Sequence, residues 1–324
     1  MFIEAETING IIGQLGTLVV TKQWRLTAPP AHLMRGVDFY NGTDLVFALS
    51  VATQLFKNAH GYIPRLDAPR TYNEHIFVRK FFAPMPVPSL ADKLGVRGFV
   101  QARLGESVLV PVVWTGETVE ELYAADLPAG RFALKANHGA GMNLFLDLPG
   151  DLTVRRDEIM ASTEEWRQSR FGYTWGEWHY NIFKRRLFLE AFLGRPDGLS
   201  MDDIKVHCFH GKARLINLTT GRRAEHRIAQ YTPDWRRIPV DIPGFESIEF
   251  PRPPNLETII DAAQRLARGL DYARIDLYSD GQRIWFGEIT LTPGNGNQAY
   301  ADPRYDEWLG GLFDPNPAQP EWLG

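Results

Sequence analysis

The residues with the clearest chemical potential lie in one stretch, YARIDLYSDGQRIWFGEITLTPGNG, Tyr272 to Gly296. It carries Arg274, Asp276, Glu288 and Thr290 in two β-rich runs around Ser279-Asp280-Gly281. Asp-Gly between such runs is a hairpin signal, and loop length then decides which side chains meet. A two-residue loop of Asp280-Gly281 sends Asp276 and Glu288 to opposite faces, because strand side chains alternate. A three-residue loop of Ser279-Asp280-Gly281 pairs Tyr278 with Gln282 and puts Arg274, Asp276, Glu288 and Thr290 on one face, with Ile284 and Phe286 beside them. Ile275, Leu277, Trp285, Ile289 and Leu291 then share the other. The second register is the expected one, since it separates an apolar face from one bearing an Arg, two acids and a hydroxyl. Neighbouring carboxylates repel unless a positive charge sits between them. Mg²⁺ takes one or two carboxylates and fills its remaining positions with phosphate oxygens and water.

A second group lies upstream. Lys135 ends the apolar run RFALKA and precedes the tip Asn137-His138-Gly139-Ala140-Gly141-Met142-Asn143. A lysine there is costly to bury unless it pairs, and beside a polyphosphate it acts as a point charge. Gly139 and Gly141 allow backbone N–H groups to approach phosphate oxygens. Leu144 to Leu148 reads as a returning strand, so this is a hairpin with a glycine-rich tip. Strand-loop-helix phosphate motifs of the Walker or Rossmann kind fit poorly. His138, His207 and His210 have no metal-ligand spacing, and Cys208 reads as a core residue within a strand.

Several other elements position these groups. Leu45 to Ala59 reads as a buried helix. Thr71-Tyr72-Asn73-Glu74 opens another with a capping-box pattern, which ends before the proline-rich APMPVPSL. A helix is expected from Ala91 to about Leu104, then a strand from Val108 to Val113, and mostly helix from Val154 to about Trp178. Leu187 to Leu193 reads as a strand, Ile204 to Phe209 with Lys212 to Leu218 as a hairpin, and Arg222 to Arg227 as a charged loop. Leu256 to Leu270 is an amphipathic helix. The chain has 324 residues, long enough for two or three subdomains, and is 44% hydrophobic with a net charge of −4. A nucleic-acid footprint is not expected at that charge. One cysteine excludes an internal disulfide and a multi-cysteine zinc site. The start MFIEAE lacks a secretory n-region, and the longest apolar run is too short to cross a bilayer. A cytoplasmic setting is the expectation.

The order of motifs is more specific than any one of them. PRTYNEH, Asp92-Lys93, FALKANHGAGMN, EAFL, DIKVHCFHG and RIDLY…GEITLTPGNG follow one another from about Pro69 to Gly296. The series resembles the ATP-grasp superfamily, and within it the TupA-like group, associated with teichuronopeptide and other surface-polysaccharide synthesis. Three positions depart from that group's pattern: His75 stands for a Lys, Glu190-Ala191 for a paired Glu-Glu, and Thr290 for the Asn common two residues after the metal Glu. The resemblance implies that Lys93, Lys135 and the tip His138, Gly139, Gly141 and Asn143 bind ATP phosphates. It implies that Glu190 to Leu193 read adenine through the backbone, and that Asp203 or a neighbour meets the ribose. It implies Asp276, Glu288 and Thr290 as Mg²⁺ ligands, Arg274 facing the transferred phosphate, and Lys205 neutralising phosphate or orienting the acceptor carboxylate.

The expected fold is therefore α+β, an ATP-grasp fold with ATP held between the sheets of a lid domain and a C-terminal domain. The expected division is an N-terminal domain over 1–105, a lid with the glycine-rich hairpin over 106–189, and a C-terminal domain with the metal hairpin over 190–324. The implied reaction is ATP- and Mg²⁺-dependent carboxylate–amine ligation through an acyl phosphate, joining an amino acid to a uronic acid of a surface glycan. Ligation to a peptide, a kinase reaction and a non-catalytic nucleotide-binding scaffold are the rival readings.

Overall fold

The computed structural model describes residues 6–7, 9–11, 13–14, 42–81, 88–169, 171–181, 183–194, 201–220 and 227–317. Charged-loop residues 222–226 and most of APMPVPSL lie outside the described residues.

The chain enters through helix α1 (Gly42–His60) and helix α2 (Tyr72–Phe81). The expected capping box opens α2: Glu74 N–H donates to Thr71 Oγ1 at 3.2 Å, and Thr71 N–H donates to a Glu74 carboxylate oxygen at 3.2 Å. The helix foreseen from Ala91 is shorter than expected. Pro88–Ala91 forms a 3-10 turn, Asp92 accepts from Leu94 N–H at 2.9 Å, and α3 runs only over Val96–Leu104. The asparagine-like turn made by the Asp92 side chain competes with helix at that point. The foreseen strand at Val108 also shifts. Glu106–Val108 is a 3-10 turn, and β1 covers Val112–Gly116 because Pro111 has no N–H to donate before it.

The first sheet is antiparallel in the order β1-β4-β2-β3, with β2 at Gly130–Ala136, β3 at Asn143–Leu148 and β4 at Leu187–Ala191. Helices α4 (Val119–Ala124), α5 (Gly150–Val154), α6 (Arg156–Gln168) and α7 (Phe171–Trp175) accompany it. Phe132, Leu134 and Ala136 of β2 pack with Leu122, Ile159 and Trp166 in its core.

The second sheet has six strands in the order β10-β9-β5-β6-β7-β8. They are β5 (Asp203–Phe209), β6 (Lys212–Thr220), β7 (Arg227–Tyr231), β8 (Glu246–Ser247), β9 (Tyr272–Ser279) and β10 (Ile284–Thr290). Arg227 thus begins a strand instead of closing a loop. One face of this sheet carries Ile204, Val206, Cys208, Ala273, Ile275 and Leu277, which pack on α8 (Leu256–Ala267) and α3. The opposite face therefore presents Asp203, Lys205, His207, Arg274 and Asp276 by alternation. Tyr72 and Ile76 of α2, with Tyr305 and Leu309 of α9 (Pro303–Gly311), pack with Phe209, Leu215 and Tyr272 at its far end. The remaining polar part of this face meets the glycine-rich tip of the first sheet through Lys93, which contacts both Glu288 and Gly139. Among the described residues no helix is long and apolar enough to cross a membrane.

Candidate functional site

The site is built on the β9–β10 hairpin, whose register differs from the expected one. Ser279 pairs with Ile284, Tyr278 with Trp285 and Phe286 with Leu277, so the loop is Asp280–Arg283. Its closure comes from the Asp280 side chain, which accepts from Gln282 N–H at 2.9 Å and Arg283 N–H at 2.7 Å. The register then slips by one residue between Phe286 and Glu288, so that Glu288 stands opposite Asp276 and Thr290 opposite Arg274. The bulge falls on Gly287, where an added Cβ would lie 3.0 Å from the Asp276 carbonyl oxygen. The two acids do share one face, through a bulge and not through the three-residue loop. The four-residue loop, by pairing Ile284 with Ser279 and Phe286 with Leu277, places Ile284 and Phe286 in the apolar core with Ile275 and Leu277, correcting their placement beside the acids, and the bulge brings Ile289 and Leu291 to the same core. Trp285 leaves that core and lies under the Arg283 guanidinium at 5.0 Å.

On the polar face one guanidinium gathers the oxygens. Arg274 donates to both Asp276 carboxylate oxygens at 2.7 Å, and its Nη2 also reaches Glu288 Oε1 at 3.2 Å and Thr290 Oγ1 at 2.9 Å. Thr290 in turn donates to Glu288 Oε1 at 2.9 Å. Three oxygen donors of different residues thus lie within hydrogen-bond reach of a single cationic nitrogen. That donor set, two carboxylates and a hydroxyl, fits a hard divalent cation. Among the described residues no group of three or more His, Cys, Asp or Glu side chains could hold a metal ion. The charges shape the acids unequally. Burial raises Asp276, and the Arg274 charge only partly offsets it. Burial also opposes ionisation of Glu288, but Lys93 and Arg274 together overcome it and hold the carboxyl well below its usual range.

Lys93 links this floor to the first sheet. Its Nζ lies 3.3 Å from Glu288 Oε2 and donates to the Gly139 carbonyl at 2.7 Å. Gly139 is part of the glycine-rich tip, and Gly141 takes φ 74°, where a side chain would be strained. Asn137 fastens the tip's base: its amide donates to Asp92 at 2.9 Å and its oxygen accepts from Arg186 N–H at 2.8 Å. Asn143 pairs with Lys135 across β2–β3.

His138 is placed differently from the phosphate contact implied for it. The ring is 3% exposed, Nε2 is 2.9 Å from the Trp166 carbonyl and Nδ1 is 3.3 Å from Asn137 Oδ1. Both nitrogens are engaged by protein, so the ring anchors the tip instead of reaching the cleft. Lys135 finds the partner its burial requires in an ion pair with Glu190 of the adjacent strand. Leu193 follows β4, and its carbonyl accepts from Met201 N–H at 3.3 Å.

Lys205 lies opposite Asp276 in the sheet, 3.7 Å from Asp203 Oδ2, and donates to Thr219 Oγ1 at 3.3 Å. Asp203 is buried at the start of β5. The structure therefore brings Lys93, Gly139, Arg274, Asp276, Glu288 and Thr290 into contact, with Lys205 and Asp203 adjoining. Lys135 and Glu190 form a separate pair on the facing sheet. Cys208 is buried on the core face, where burial pushes the thiol up to about 12, as befits a core residue.

Two groups near the site carry no sequence signal. Glu177, in the segment after α7, accepts a hydrogen bond from Thr292, two residues past Thr290. Lys80 of α2 is fully buried against Asn295. Burial raises Glu177 to about 7 against the pull of Thr292 and Lys80, and lowers Lys80 to about 7 against the pull of Glu177. Both contacts join residues more than a hundred positions apart, so no local pattern announces them.

The chain belongs to the TupA-like ATP-grasp family, whose model matches residues 76–314. No curated protein matches it. Among solved structures it is similar to the ATP-grasp ligase PsnB in complex with a minimal precursor, at 15% identity and TM-score 0.37, over 66% of this chain and 57% of that one. It is also similar to D-alanine–D-alanine ligase from Bacillus anthracis in complex with ATP, at 16% identity and TM-score 0.38, over 63% and 56%. The same ligase from Helicobacter pylori is 10% identical, with TM-score 0.36, over 64% and 56%. The chain thus spans less than three fifths of the length of each of these structures. ATP and Mg²⁺ are the cofactors of ATP-grasp ligases, and the oxygen donor set above is compatible with both.

Proposed function

We propose that this chain is an ATP-dependent carboxylate–amine ligase, with residues 106–189 as the lid and 190–324 as the body that grip the nucleotide. The observation that carries the reading is the convergence of Asp276, Glu288 and Thr290 oxygens on Arg274, with Lys93 tying Glu288 to the glycine-rich tip. Asp276, Glu288 and Thr290 would hold Mg²⁺, and Lys93, Lys135, Gly139, Gly141 and Asn143 the phosphates. Glu190, Leu193 and Asp203 would flank the nucleoside. Held there, Mg²⁺ and ATP would supply an electrophilic γ-phosphoryl group; the substrate carboxylate would take it with release of ADP, and an amine would then displace the phosphate to give the amide. Arg274 and Lys205 stabilise negative charge where it develops, and closure of the first sheet over the second excludes water from the activated acid.

We take the acceptor to be a uronic acid and the amine an amino acid, in the synthesis of a surface polysaccharide. The membership of the TupA-like family supports this choice of substrates. A reaction that draws on ATP suits the cytoplasm. The test is ADP release from uronic acids and peptides offered with each amino acid, followed by product mass, with hydroxylamine included to trap the activated acid. An amide product and a hydroxamate are expected. A stable phosphorylated product makes the protein a kinase, and nucleotide binding without turnover makes it a scaffold.

A further inference from the structure

Lys80 is a fully buried lysine that this chemistry does not use. Its three ammonium protons meet three acceptors: Asn295 Oδ1 at 2.6 Å, the Asn295 carbonyl at 2.9 Å and the Trp175 carbonyl at 3.4 Å. The rings of Phe77 and Phe81 lie 5.0 and 5.6 Å from the same nitrogen. A buried ammonium is costly unless its donors are satisfied, and here they are satisfied mainly by one residue of one turn.

That turn is conformationally demanding. Gly294, Asn295 and Gly296 take φ of 59°, 58° and 71° in succession. A side chain in this region costs about 1–2 kcal/mol, with asparagine among the residues that visit it. The turn follows directly on β10, the strand bearing Glu288 and Thr290. β10 is also an edge strand, paired with β9 on one side and, among the described residues, held on the other by a single bridge, from Phe286 to Leu109. Its pairing with β9 runs to Thr290 and stops there, so the sheet itself does not hold the turn that follows.

Helix α2 supplies the missing constraint. Asn73 exchanges two hydrogen bonds with Gln298, at 2.9 and 3.0 Å, and His60 Nε2 is 3.1 Å from the Gly296 carbonyl. A Cβ at Gly296 would come within 2.8 Å of the Asn73 carbonyl oxygen. Lys80 alone grips the turn at its non-glycine left-handed residue, through that residue's main-chain and side-chain oxygens together.

We propose that Lys80 is a positioning residue for the metal strand, which fixes Asn295 in its left-handed conformation and so sets where β10 ends and where Glu288 and Thr290 stand. The inference rests on the metal assignment given under the proposed function. It extends that assignment to helix α2. A neutral side chain of the same length would leave the Asn295 oxygens buried and unpaired, and the turn would relax toward ordinary backbone angles.

The test measures Mn²⁺ affinity by electron paramagnetic resonance, in the presence of a non-hydrolysable ATP analogue, for Lys80→Met, Asn295→Ala, the double variant and Asn295→Asp. Lys80→Met and Asn295→Ala should each weaken Mn²⁺ binding by about tenfold, the scale of lost outer-sphere support for a metal, with far-ultraviolet circular dichroism unchanged. The double variant should be no worse than either single one, because both act through one contact. Asn295→Asp keeps both acceptors and should bind Mn²⁺ as the natural sequence does. If Lys80→Met does not fold, Asn295→Ala decides alone. Wild-type Mn²⁺ affinity in either folded single variant, or additive losses in the double, overturns the proposal. Glu288→Gln in the same assay keeps the two readings apart: if that variant binds Mn²⁺ normally, the metal assignment itself has failed.

Discussion

Replacing Glu288 by glutamine removes one charge and almost no volume, so its consequences follow from the local charge balance. In the site two cations, Lys93 and Arg274, face two carboxylates, Asp276 and Glu288. Glutamine keeps an oxygen that accepts from Arg274 and Thr290, and only the charge-assisted part of those bonds is lost. Breaking a buried ion pair outright costs about 3–5 kcal/mol. Here the oxygen facing Arg274 and Thr290 survives, the one facing Lys93 is replaced by an amide nitrogen, Lys93 keeps the Gly139 carbonyl and Arg274 keeps its two-pronged contact with Asp276, so a loss of about 1–3 kcal/mol is expected. The cleft becomes more positive by one charge. Metal-free ATP analogue should therefore bind as tightly as before, or more tightly.

The gain in analogue affinity that Mg²⁺ gives the natural protein should shrink by at least the 10–100-fold typical of losing a metal's outer-sphere support, since a direct ligand is removed. Titration calorimetry of the analogue with and without Mg²⁺ separates the two effects. General damage to the cleft would weaken both. A variant that keeps the full Mg²⁺ increment would show that Glu288 is not a metal ligand and would refute the reasoning.

Three further outcomes are expected. Gly287→Ala places a Cβ 3.0 Å from the Asp276 carbonyl and 3.1 Å from the Tyr278 ring; it should lower stability by about 1–3 kcal/mol in chemical denaturation and weaken Mn²⁺ binding, and an unperturbed variant would argue against the bulge. Thr290→Val removes the hydroxyl that bonds Arg274 and Glu288, so the KM for Mg²⁺ should rise severalfold while the apparent Kd for metal-free ATP stays put; an unchanged KM would leave Asp276 and Glu288 as the whole protein contribution to the metal. His75 stacks on Phe313 at 4.3 Å, and burial lowers its imidazole from 6.5 to about 4. Between those values the unfolded chain binds more protons than the native one, so stability falls as pH drops from 6.5 to 4, by up to about 3 kcal/mol from this residue. His75→Gln should flatten that part of the stability profile, and an identical slope in the variant would sink the assignment.

What the sequence made legible follows the range of the interactions involved. Alternation in RIDLY and GEIT, the apolar run RFALKA with its glycine-rich tip, and the Thr71–Glu74 box all act over a few residues, and each appears in the structure at its place. The register of the metal hairpin was legible only in its result. The string Ser279-Asp280-Gly281 is compatible with several loop lengths, and the one adopted depends on the Asp280 carboxylate capping two N–H groups. That loop reverses the faces of Ile284 and Phe286, and the bulge at Gly287 then returns Glu288 to the face of Asp276. Neither feature has a periodicity to detect, although a glycine inside a strand pattern is a general hint of a bulge. The anchoring of the tip by His138 is illegible for a related reason, since the Trp166 carbonyl beside its Nε2 lies 28 positions away.

Two contacts without any local signal hold the turn that follows β10. Nothing in YNEHIFVRKF says that its ninth residue will be buried, because Lys80 meets its acceptors 215 positions away. Glu177 likewise meets Thr292 across 115 positions. Both partners lie in the turn just beyond the metal strand, where the edge position of β10 leaves the sheet with the least control. Short-range patterning therefore specifies the proposed ligands, and long-range contacts from α2 and the segment after α7 hold the turn that follows them. On the proposed reading, truncating the chain through α2 should cost metal binding even where both sheets fold, and unchanged Mn²⁺ affinity in such a truncated protein would refute it.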